Sequence, residues 1–160
     1  GCGVQVRDYG HVLADDPAYA AKAAQISALC RDPVEVLEAE KSALLALLGA
    51  QAAARGALAF HSPCTLQHGL KLRGLAEPLL AAAGYTLVPV ADSHLCCGSA
   101  GTYSVLQTEL SQQLRDNKLA ALTAQSPALV ATANIGCLTH LQAGTVTPVR
   151  HWIELIDEAL

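Results

Sequence analysis

His94-Leu95-Cys96-Cys97-Gly98-Ser99-Ala100-Gly101 decides how this chain is read. It follows the apolar run Thr86-Leu87-Val88-Pro89-Val90 and precedes a long helical pattern over residues 102–124, marked by Leu106, Leu110, Leu114, Leu119 and Leu122. Consecutive side chains on an extended chain face opposite ways, so two adjacent cysteines do not share one core. A tight turn aims both thiols at one point, and the glycines let backbone N–H groups crowd onto whatever sits there. The stretch therefore predicts a sulfur-rich site at the mouth of an α/β sheet.

Outward from this turn the same strand-then-helix pattern repeats. Leu58-Ala59-Phe60 is an apolar run that ends at His61-Ser62-Pro63-Cys64, and residues 66–83 read as helix up to Gly84. Tyr85 to Val90 is the second strand. Ala128-Leu129-Val130-Ala131-Thr132-Ala133 is apolar throughout, as a parallel strand covered on both faces should be, and ends at Asn134-Ile135-Gly136-Cys137. Thr145 to Val149 is a fourth strand and His151 to Leu160 a closing helix. The predicted fold class is α/β, with a mostly parallel four-stranded sheet flanked by helices.

Cys64, Cys96, Cys97 and Cys137 each fall just after a predicted strand and just before a predicted helix. In an open parallel sheet those positions share the carboxyl edge, where ligands bind. Four thiols spread over 74 residues thus converge without a short-range motif. Helix N-termini beside Cys97 and Cys137 would favour thiolate over thiol. His140, three residues beyond Cys137, is a candidate ligand or close neighbour on the same helix face. His61 and His94 flank the cysteine turns and are placed to tune the site by hydrogen bonds, while His151 opens the last helix on the same edge. His11 and His68 read as solvent-facing.

The N-terminal part is helical in pattern. Asp16-Pro17 and Asp32-Pro33 are helix starts, the second with Glu35 where a capping-box carboxylate belongs. Residues 17–30 and 33–54 are predicted helices, the latter broken near Gly49. Cys30, late in a helix, reads as inert filler. Cys2, between two glycines, reads as a turn cysteine that would serve a site with other ligands upstream. Methionine is absent, which leads us to expect a piece of a longer chain.

Bulk properties narrow the function classes. The 160 residues suffice for a domain with a real core, 52% hydrophobic but only 4% aromatic. A net charge of −4 with no basic cluster speaks against a nucleic-acid partner. No membrane-length apolar run or leader pattern is present. Six cysteines in that context point to a reducing, cytoplasmic compartment, where cysteine clusters are more often metal-binding or catalytic than disulfide frameworks. Four readings of the thiols stay open on the residues alone. They are core filler, a redox dithiol at Cys96-Cys97, a zinc site and an iron–sulfur cluster.

The spacing resembles a known pattern, the cysteine-rich CCG module. Cys64, Cys96-Cys97-Gly98 and Cys137-Leu138-Thr139-His140 fit it, with 31 and 39 residues in the gaps. Such modules occur in heterodisulfide reductase subunits, lactate-utilisation proteins and the iron–sulfur subunits of glycolate oxidase. Five blocks are similar to the last group: residues 64–68 (CTLQH), 94–104 (HLCCGSAGTYS), 113–119 (QLRDNKL), 132–137 (TANIGC) and 147–154 (TPVRHWIE). The resemblance implies that residues 1–54 are the tail of a preceding module with connecting helices, and residues 55–160 a second module. It implies an iron–sulfur cluster of 4Fe-4S type, with zinc as the alternative, on Cys64, Cys96, Cys97 and Cys137, and His140 as a further candidate. It also implies electron transfer from flavin-containing glycolate oxidase subunits towards a membrane acceptor, without glycolate chemistry in this domain. The location would then be cytoplasmic or at the inner face of the cytoplasmic membrane, through the complex. One departure stands out, since His140 occupies the place of a second cysteine in the heterodisulfide reductase pattern. The rival readings are a structural or zinc-binding docking module and a thiol–disulfide domain.

Overall fold

A computed structural model describes residues 2–50 and 53–160, with the backbone alone at residue 50. The chain forms two compact units, Gly1–Glu40 and Lys41–Leu160. In the first, α1 (Cys2–Val12) packs on α2 (Ala20–Leu29), and α3 (Pro33–Ala39) follows. Gly10 lets the two helices touch: its N–H donates to Ser27 Oγ at 2.8 Å, and a Cβ there would lie 3.2 Å from Ala24 Cα. Asp32 and Glu35 form the expected capping box. Asp16 Oδ1 accepts from the N–H groups of Ala18 and Tyr19, closing a turn before α2. Cys2 does not sit in a turn. It is exposed at the start of α1, because packing along a helix outweighs the poor helix propensity of its flanking glycines.

The second unit begins with α4 (Lys41–Ala50), separated from α3 at Glu40 and unbroken at Gly49. The end of the helix predicted over 33–54 reaches residues 51 and 52, which lie outside the described residues. Its four strands are β1 (Gly56–His61), β2 (Tyr85–Leu87), β3 (Leu129–Thr132) and β4 (Val149–His151). They pair in the order β2-β1-β3-β4, all parallel. β2 stops before Pro89, which has no N–H to give the ladder. The fourth strand starts later than predicted because residues 145–148 are taken up by a turn, with Thr147 N–H donating to Thr145 Oγ1.

The helices are shorter than their sequence patterns. The stretch predicted as helix over 66–83 is a π-helical turn at Thr65–Gly69 and then α5 (Ala76–Ala82). Lys71 and Gly74, with φ of 61° and 71°, reverse the chain between them. The stretch 102–124 divides at Gln107 into α6 (Tyr103–Leu106) and α7 (Thr108–Thr123). After β3 comes α8 (Ile135–Gln142), and after β4 comes α9 (Trp152–Asp157). α5 and α9 contact each other, as do α7 and α8.

Strand parity then places the site. Ala59, Val130 and Val149 lie in one register row and are buried against Leu119 and Leu122 of α7 and Leu141 of α8. Two residues on, still on that face, the row becomes His61, Thr132 and His151. The apolar core thus gives way to a polar row at the carboxyl end of the sheet. The order β2-β1-β3-β4 reverses direction between β1 and β3, and a crevice for ligands forms at that switch point.

Candidate metal centre

Three strand ends deliver the thiols. Cys64 follows β1, Cys96 and Cys97 follow β2, and Cys137 lies in the first turn of α8 after β3. The sulfurs of Cys97 and Cys137 lie within 4.8 Å of each other, and Cys64 and Cys96 are near enough to each other and to that pair to shift one another's protonation. The four predicted cysteines therefore gather at one edge of the sheet. All six cysteines are free, and Cys97 is 1% exposed while Cys64, Cys96 and Cys137 are partly exposed.

The turn that carries Cys96 and Cys97 is built tightly. Gly98, at φ +87°, turns its N–H onto Cys96 Sγ at 3.3 Å. Its carbonyl accepts from Ser111 Oγ at 2.8 Å, and Ser111, on α7, is fully buried. Asn134 caps α8 by accepting from the N–H groups of Gly136 and Cys137, at 2.9 and 3.3 Å. The side-chain amide of Gln67 spans two loops, donating to Ser62 O at 2.9 Å and His94 O at 3.4 Å.

The histidines separate. His61, 2% exposed, closes a group with Cys97 and Cys137 whose ligand atoms all lie within 4.8 Å of one another, close enough to hold a metal ion. Neither of its ring nitrogens has a hydrogen-bond partner. Leaving such a group unsatisfied costs about 1–3 kcal/mol. The residues present thus fit a bound metal group: soft sulfur donors, and a buried nitrogen with nothing else to bind. His140 is directed elsewhere, with Nε2 3.2 Å from Ser111 Oγ and 3.3 Å from Ser111 O. His94 and His68 are exposed, and His151 caps α9 through Nδ1 to the Ile153 N–H.

A family model described as the cysteine-rich domain, CCG, matches residues 58–142. The chain belongs to this family. It is 51% identical, over all 160 residues, to the "Glycolate oxidase iron-sulfur subunit" of Escherichia coli K12, and covers 38% of that protein. It is 33% identical to the "Probable glycolate oxidase iron-sulfur subunit" of Bacillus subtilis 168, with 90% of this chain and 32% of that protein aligned. The "Lactate utilization protein A" of an Exiguobacterium strain is 28% identical, with 99% of this chain and 66% of that protein aligned. The chain thus spans about a third of the length of the two glycolate oxidase subunits.

Protons are shared unevenly along the CCG sulfurs. Cys96 is pushed down to about 2, first by hydrogen bonding from Cys64, then from Cys97, with the Gly98 N–H and the nearness of His61 adding to it. Cys137 is lowered to about 5, first by the Cys97 thiol and then by His61. Cys64 and Cys97, the donors, are raised well above the ordinary thiol range. Metal binding at these sulfurs would be coupled to release of thiol protons.

Two CCG-domain residues at the site escape a reading based on cysteine and histidine. Lys118 is 3% exposed, and its Nζ donates to Asp92 O at 2.7 Å. Burial lowers its pKa, and the neighbouring sulfurs and Asp92 oppose that drop. It walls a cavity of about 240 Å³ beside Cys96, together with Leu95 and Leu114. Ser111 is the other. Both lie on the buried stripe of α7 with Leu122, at positions i, i+7 and i+11, where a polar residue breaks the apolar rule.

Proposed function

We propose that this chain is an electron-transfer part of the iron–sulfur subunit of a glycolate-oxidising complex. The observation that carries the reading is four cysteines gathered from three strand ends, two of them within 4.8 Å of each other and of His61, in a chain half identical throughout to a glycolate oxidase iron–sulfur subunit. Cys64, Cys96, Cys97 and Cys137 would hold a cluster of the 4Fe-4S type. Such a cluster supplies one-electron oxidation and reduction at iron. The protein's own part is to gather the thiolates, to offset their charge with Lys118 and to shield Cys97 from solvent. Residues 1–54 are the end of a preceding module with its connecting helices, and residues 55–160 form the second module.

Electrons would come from a flavin-containing partner subunit and pass towards a membrane acceptor, with the complex at the inner face of the cytoplasmic membrane. Among the described residues no helix is long and apolar enough to cross a membrane. The test is direct. The iron-loaded chain is mixed anaerobically with photoreduced flavin and then with a soluble quinone, and its visible absorbance is followed. Reversible bleaching and recovery supports the reading, while iron-loaded protein that exchanges no electrons overturns it. A second reading, a single structural zinc ion, is favoured by the compact His61, Cys97 and Cys137 group. It predicts a colourless protein with no response to either reagent.

A further inference from the structure

We propose that His61 ligates the metal group directly, through one imidazole nitrogen, and so adds a nitrogen donor to the four sulfurs. This rests on the reading that the sulfurs hold a metal group. His61 sits at the last position of β1, on the face covered by α7 and α8, where Cys97 and Cys137 also converge. Its ligand atom lies within 4.8 Å of both sulfurs. It is 2% exposed, so bulk solvent does not reach the ring, and both ring nitrogens lack a protein partner.

Neither ring nitrogen of His61 makes a hydrogen bond of ordinary geometry, although the imidazole is near enough to the Cys137 sulfur to favour its thiolate. A neutral imidazole donates a lone pair from one nitrogen and keeps its proton on the other, so no proton or electron has to leave. Ligating histidines commonly give that second N–H to a nearby oxygen. Thr132 stands beside His61 in the strand register, and its buried hydroxyl also lacks a partner. Two orphaned polar groups side by side, one facing sulfur, form the pair that a ligating histidine and its supporting acceptor require. His140 is already committed to Ser111.

The test uses the 160-residue chain carrying imidazole-¹⁵N histidine, reconstituted anaerobically with iron and sulfide and brought to its paramagnetic oxidation state. Pulsed electron paramagnetic resonance should show a strong ¹⁵N coupling. The coupling should persist in His140→Ala and vanish in His61→Cys, which keeps its iron because a thiolate replaces the imidazole. The His61→Cys protein should also have a lower reduction potential, since histidine in place of cysteine raises it. Bound iron and sulfide without histidine coupling in the wild-type chain, or coupling lost in His140→Ala only, overturns the proposal and leaves the electron-transfer reading standing. A chain that takes up no iron overturns both.

Discussion

Replacing Gly98 by alanine should damage this protein far more than the same change at Gly101. Both glycines have positive φ, +87° and +54°, so each alanine incurs the left-handed penalty of about 1–2 kcal/mol. Their surroundings differ. A Cβ on Gly98 would lie 2.3 Å from the carbonyl oxygen of Ser111 and 3.1 Å from Leu114 Cβ, whereas a Cβ on Gly101 meets nothing within 4 Å. The Ser111 oxygen belongs to α7, so either the turn or the helix must shift. Strain of that kind in a packed interior costs about 1–3 kcal/mol. The shift also pulls the Gly98 carbonyl from the Ser111 hydroxyl, which at 2.8 Å is buried, and an unsatisfied buried group adds about 1–3 kcal/mol. Gly98→Ala should therefore cost about 3–8 kcal/mol and Gly101→Ala about 1–2 kcal/mol. With an m-value of about 2 kcal/mol per molar urea, the two midpoints should differ by roughly 1–3 M. Urea unfolding of the metal-free chain, followed by far-ultraviolet circular dichroism, measures this. Equal midpoints for the two variants would refute the claim that α7 clamps the cysteine turn.

The other expectations are smaller in scope. Lys118→Met removes a buried positive charge beside the sulfurs, so adding an electron becomes harder. The potential of the loaded site should fall by an amount equivalent to about 1–3 kcal/mol, read by a spectroscopic redox titration; an unchanged potential would place Lys118 outside the field of the site. Ser111→Ala strips the hydroxyl from the Gly98 carbonyl and from His140, and should destabilise the metal-free chain by about 1–3 kcal/mol in urea. The Arg150 guanidinium bonds Glu158 at 2.8 and 2.6 Å and holds its carboxyl below the usual range. A carboxyl depressed in the folded state stabilises above its unfolded pKa and loses that contribution as pH falls through the folded one. The small gap in urea midpoint between wild type and Glu158→Gln should therefore be open near neutrality and close below about pH 4, and a gap constant with pH would contradict the pairing.

The cysteine edge was legible because strand and helix alternate, and alternation alone puts Cys64, Cys96, Cys97 and Cys137 on one rim of a parallel sheet. The histidines were not. Sequence spacing sets His140 one turn after Cys137, but the buried hydroxyl of Ser111, on a helix distant in the chain, takes its imidazole. Strand parity pairs His61 with Ala59, yet only the packed sheet tells which helices cover that face. Lys118 stayed hidden for the opposite reason: a lysine in an amphipathic helix is ordinarily solvated, and its burial is set by the Asp92 carbonyl and the sulfurs across the crevice. Helix lengths were overread at 70–75 and at Gln107, where backbone turns interrupt an apolar pattern that continues through them. At Cys2, tertiary packing made a helix from residues whose local preference is a turn.

The central claim is that Cys96 and Cys97 belong to an iron–sulfur site, and metal analysis tests it most directly. Iron, zinc and acid-labile sulfide are measured per chain after anaerobic purification, for the wild type and for the Cys96→Ser/Cys97→Ser double variant. The account predicts iron and sulfide together in the wild type and both lost in the variant. Equal iron and sulfide in the two proteins, or zinc alone in the wild type and lost from the variant, would contradict it.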